Sequence, residues 1–203
     1  MVTAAVIAIA AVLIFAAASY NNTQSKYDAC AKWHDTVQEA CIKTGLGKGW
    51  TDDVLALMFI ESGGDVSVSS VTGVANDIMQ AAEGEYGDII RSGSEKYGVE
   101  AETPEASIYA GVLEFKQNLK LWDDYLGGIG PAETGKVQLV IQGYNFGADG
   151  WYQWCVENDY TIYTVERAQR YSDTMMPSDA KGTPTHAEKW LTAYEKIKAD
   201  EAE

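Results

Sequence analysis

A glutamate at position 61 closes an apolar run, Leu55-Ala56-Leu57-Met58-Phe59-Ile60, and Gly63 and Gly64 follow almost at once. A carboxyl group so placed is half withdrawn from water. Withdrawal disfavours its charged form, which is the condition a general acid needs near neutral pH. Taken alone, the segment reads more readily as a helix-ending glutamate in solvent. Two further segments change the weighting. Asp77-Ile78-Met79-Gln80 joins an apolar side chain to an amide, a mixture that suits a sugar, whose faces are apolar and whose rim carries hydroxyls. Gln142-Gly143-Tyr144-Asn145-Phe146-Gly147 sets a tyrosine and an asparagine at a helix end between glycines, where both can reach one cleft. Each segment has a plain alternative: a buried Met beside a surface Gln, and a core Tyr before a C-terminal turn. Their joint order and separation is the specific signal.

Helical spacing positions these residues. Thr51 can cap a helix with Asp52 and Asp53 in its first turn, and Val54, Leu57, Met58 and Glu61 then share one stripe. A preceding helix is predicted from about Lys26 to Thr44, and another from Ala82 to Tyr97. Thr103-Pro104-Glu105 is a helix start with cap, proline and acid, and that helix runs to about Tyr125 before the glycines at 127 and 128. Glu133 to Tyr144, Gly150 to Asn158, Tyr163 to Met176 and a last helix from Thr183-Pro184 complete a mostly α pattern. The Ser- and Val-rich stretch 66–75 could be loop or a small β ribbon.

The 203 residues are most simply one domain with appendages, and 46% hydrophobic content with six tryptophans indicates a folded globule. Trp122, Trp151, Trp154 and Trp190 are assigned to core packing. A net charge of −15 excludes nucleic acid as a partner, because that partner requires clustered Lys and Arg. Residues 1–19 are almost wholly Ala, Val, Ile, Leu and Phe, and read as a signal anchor or a signal peptide. Residues 20–26 form a polar linker, and 27–200 the domain, which is placed outside the cytoplasm with the membrane reached through residues 1–19. On one continuous helix, Cys30 and Cys41 would stand roughly 16 Å apart, beyond disulfide reach, which leaves Cys155 as a partner for either. The spacing of Cys and His, with His34 and His186 in unrelated segments, suggests no metal, and no cofactor is expected.

The order Glu61-Ser62-Gly63-Gly64, then Met79-Gln80, then Tyr144-Asn145-Phe146-Gly147 resembles the signature of the goose-type lysozyme and soluble lytic transglycosylase superfamily. Within it, Asp77 to Glu83 and Gln142 to Gly147 are similar to the lysozyme-like domain of CwlT-type cell-wall hydrolases. Ser107-Ile108-Tyr109-Ala110-Gly111-Val112 and Thr183-Pro184-Thr185-His186-Ala187-Glu188 fit that group too. The resemblance spans roughly residues 27 to 197. It implies an all-α lysozyme-like fold that cleaves peptidoglycan glycan strands, with Glu61 as the acid. It assigns sugar contacts to Ser62, Gln80, Tyr144 and Asn145, and places Met79 on the cleft wall. Members of that group often serve conjugation or other cell-surface assemblies, a partner class implied by the resemblance alone.

Glycosidases commonly employ a second carboxylate. Asp65, Asp77 and Glu83 are the candidates, with Asp77 first because it lies in the motif loop; its alternative is a cap for loop N–H groups. Hydrolysis (a muramidase) is the leading reading. A lytic transglycosylase leaving anhydro ends and a non-catalytic glycan-binding module on the same fold are the alternatives.

Overall fold

The computed structural model describes residues 22–178 and 182–201. The apolar stretch 1–19, and with it the anchor or signal peptide, lies outside the described residues. Among those described, no helix is long and apolar enough to cross a membrane.

The helices are α1 (22–31), α2 (His34–Lys43), α3 (Thr51–Glu61), α4 (Gly87–Ser92), α5 (Pro104–Leu126), α6 (Thr134–Phe146), α7 (Ala148–Glu157), α8 (Val165–Met175) and α9 (His186–Glu201). No strand forms among the described residues, and Ser94 and Val99 make an isolated antiparallel bridge. The fold is therefore all-α, as the spacing predicts.

Helix α3 is the central element. Seven of its eleven residues are buried, Thr51 and Asp53 to Met58, so it is covered on nearly every side. Helix α9 packs along it and along α6, and the Trp190 indole donates to the Asp53 carbonyl at 3.0 Å. Helix α5 begins as its sequence dictates: the Thr103 hydroxyl accepts the Ala106 N–H at 3.2 Å, proline follows, and Gly127 closes the helix at φ 68°. Trp122, Trp151 and Trp190 are wholly buried in the core.

Three expectations are corrected. The single helix from Lys26 to Thr44 is two, broken at residues 32–33, where Trp33 leaves helical geometry. Helix α1 begins within the expected linker 20–26, since residues 22–26 are helical. The helix expected over Ala82 to Tyr97 shrinks to Gly87–Ser92. The stretch 66–75, open between loop and ribbon, is loop, with Ser70 and Val74 paired around Gly73 at φ 86°. Cys30, Cys41 and Cys155 are free and buried, and burial pushes each thiol up to about 12.

Candidate functional site

Glu61 is the last residue of α3, and its side chain is only 12% exposed. Ser62, Gly63 and Gly64 then turn the chain away, the two glycines at φ 67° and 73°. The close approach at Gly64 is by backbone: a Cβ there would stand 2.8 Å from the Cys30 nitrogen and 2.9 Å from the Ala29 carbonyl carbon. Helix α1 therefore packs directly on the turn behind the acid.

Two hydrogen bonds bring the Asp77–Gln80 loop to this point. The Ser62 hydroxyl donates to the Ile78 carbonyl at 2.7 Å, and the Tyr144 hydroxyl donates to the Met79 carbonyl at 2.9 Å. Tyr144 stands within electrostatic reach of Glu61, Glu114 and Asp77. Burial first, and then these carboxylates, hold its phenol protonated well above the ordinary range. A neutral tyrosine that donates is the result.

The remaining motif residues serve the backbone more than sequence reasoning expects. Met79, expected on the cleft wall, is fully buried. A Cβ at Gly111 would come within 2.6 Å of the Met79 Cβ, so glycine there lets α5 close over this side chain. Gln80 is half-exposed at φ 50°, and its amide donates to the Asp77 carbonyl at 2.8 Å. The Asn145 side-chain Oδ1 accepts the Thr183 N–H at 2.6 Å.

Asp77 is fully buried. Its Oδ1 accepts from Ala81 N–H at 3.0 Å and from the Ser107 hydroxyl at 2.8 Å, and its Oδ2 accepts from Ala82 N–H at 3.0 Å. The Ser107 hydroxyl also accepts the Met79 N–H at 3.0 Å. The other two candidate carboxylates have surface partners. Asp65 holds the Ser67 hydroxyl and N–H, and Glu83 holds the Thr72 hydroxyl; these bonds lower both acids' pKa. Asp77→Asn would turn an amide N–H₂ toward a backbone donor. It is expected to cost about 2 kcal/mol, a fall of about 4–8 °C in melting temperature for a domain of this size, with activity falling in parallel as the loop loosens. Calorimetry beside an activity assay checks this.

Two residues that sequence reasoning did not place in the site belong to it. Glu114 of α5 is a half-buried carboxyl that accepts the Glu85 N–H at 3.2 Å, and desolvation raises its pKa. His186, the first residue of α9, has its Nε2 3.0 Å from Glu61 Oε1, with a side chain 7% exposed. The distance is that of an ion pair, but the ring N–H is not lined up on the oxygen, and Nε2 makes no other hydrogen bond. Helix α6 builds the approach: Gln142 donates to the Thr183 carbonyl at 3.0 Å and accepts the Ala187 N–H at 3.3 Å. Tyr163 donates to the Pro184 carbonyl at 2.6 Å. The signal in the sequence is the Thr183–Glu188 tail, which the resemblance singles out without giving its histidine a role.

The frame is all-α, and a family model described as lysozyme-like matches residues 28–202. The chain belongs to the lysozyme-like family. A glycosidase-type action on peptidoglycan is the chemistry that this family implies. A crystal structure described as similar to a lipoprotein of the NLP/P60 family, from Staphylococcus aureus subsp. aureus Mu50, superposes with a TM-score of 0.56 at 19% identity. The superposition covers 82% of this chain and 52% of that one, so the lysozyme-like chain spans about half of its neighbour's length. At that identity the likeness bears on fold alone. No curated protein sequence matches the chain.

Proposed function

We propose that this lysozyme-like domain cleaves the β-1,4 bond between MurNAc and GlcNAc in peptidoglycan, with Glu61 as general acid. The observation that carries the reading is the placement of Glu61: its carboxyl is largely covered, yet it stands where the end of α3 meets Tyr144 and the Asp77–Gln80 loop. Gln80, half-exposed on that loop, is the amide offered to a sugar hydroxyl. Asp77 is the scaffold of the loop, since its two oxygens already hold three donors. Ser62 and Asn145 act through the backbone they bind.

Hydrolysis is the first reading. The occupation of Asp77 favours a second, the lone-acid route in which a substrate hydroxyl attacks and an anhydro end results. Peptidoglycan lies outside the cytoplasmic membrane, so the domain is assigned an extracytoplasmic site of action, with the apolar residues 1–19 as its link to the membrane. The test is mass spectrometry of fragments released from purified sacculi. Reducing-end muropeptides support the muramidase and anhydro ends the transglycosylase; release of no glycan fragment overturns both.

A further inference from the structure

We infer that His186 is a positioning residue for Glu61, its ring set against Oε1 so that Oε2 is presented to the glycosidic oxygen. This rests on the reading of Glu61 as the acid and adds a residue that orients it.

The placement is specific. Nε2 and Oε1 stand 3.0 Å apart, and both side chains are nearly out of water. A buried ring nitrogen with no hydrogen bond is rare, because its desolvation is then uncompensated. Nε2 is such an atom, and the Glu61 carboxylate is the polar group beside it. The backbone around the ring is fixed independently of it, by Asn145 and Gln142 at Thr183, Gln142 at Ala187 and Tyr163 at Pro184. Those bonds aim the first residue of α9 at the last residue of α3.

The groups around the ring leave Glu61 as its charged partner. From α6 come the neutral amides of Gln138 and Gln142 and the protonated phenol of Tyr144. On α9 itself Glu188 is exposed. Asp53, the other buried acid of α3, precedes Glu61 by about 12 Å of helix and has Asp52, Lys198 and Cys41 around it. The end of α3 also presents carbonyl oxygens, a poor setting for an uncompensated anion.

Glu61 gives its proton to the leaving oxygen as the bond to the anomeric carbon breaks, and the remaining carboxylate stays beside the ring. Water, or the substrate hydroxyl, then adds to the anomeric carbon, and the proton it releases returns to Glu61. The ring acts on the orientation of the carboxyl, so its loss falls on kcat more than on KM.

His186→Gln is expected to lower kcat at neutral pH about tenfold and leave KM within about twofold. The chain has two histidines, His34 and His186, so imidazole NMR offers a second reading in the full-length protein. Glu61→Gln should shift the His186 ring resonances and leave those of His34 in place. A His186→Gln protein that keeps the wild-type kcat, or His186 resonances unmoved by Glu61→Gln, overturns the inference while an inactive Glu61→Gln leaves the acid assignment standing. An active Glu61→Gln removes the acid assignment instead.

Discussion

Glu61→Gln is expected to reduce turnover of purified peptidoglycan by about 10²–10⁴-fold or more, with the melting temperature essentially unchanged. Glutamine matches glutamate in shape, so the turn at Ser62 to Gly64 and its packing on α1 are kept. Its amide can still meet the His186 ring. What it cannot do is release a proton to a leaving oxygen. The loss should fall on kcat, because a proton transferred in the transition state contributes little to binding the ground state. Stability has no strong reason to fall, since a carboxylate at a helix C-terminus is not favoured there. Clearing of sacculi by a well-folded Glu61→Gln protein at the wild-type rate would remove Glu61 from the mechanism.

Glu61 and its two companion segments stand out in the sequence because each lies in a short window of distinctive residue types. His186 does not, although its tail motif is visible. Its recruitment needs α9 to lie on α3, and that packing is set by Trp190 on Asp53 and by the Gln142 amide, contacts between distant parts of the chain. The roles of Ser62, Asn145 and Asp77 are hard to read for a different reason. A loop that enters the core must have its N–H and carbonyl groups satisfied first, and Ser62, Asn145 and Asp77 all serve that need. Their polarity looks like substrate contact until the backbone partners are seen. The Ala82–Tyr97 helix fails at a position that periodicity cannot sense: a Cβ at Gly87 would lie 2.1 Å from the Ala82 carbonyl oxygen, which already accepts from Arg91. The chain there is folded back on itself too tightly for helix.

Asp53 yields the largest expected effect on stability. It is 1% exposed, its Oδ1 has no hydrogen-bond partner, and burial, reinforced by Asp52, lifts its pKa from 3.8 to about 7. A folded-state value above the unfolded one means that the native chain retains a proton the unfolded chain has lost. Its stabilising contribution is therefore complete below about pH 4 and declines as pH rises toward 7, at up to ~1.4 kcal/mol per pH unit. Above about pH 7 the anion is buried without a partner on Oδ1, at a cost on the order of 4 kcal/mol. Asp53→Asn keeps the shape and removes the charge. It should match wild type near pH 4 and exceed it increasingly up to pH 8, where a gain of about 4 kcal/mol corresponds to roughly 8–16 °C in melting temperature. Denaturant titrations of both proteins between pH 4 and 8 measure the difference directly. A constant gap across that range would mean that Asp53 is charged throughout, and that α3 tolerates a buried anion at its core.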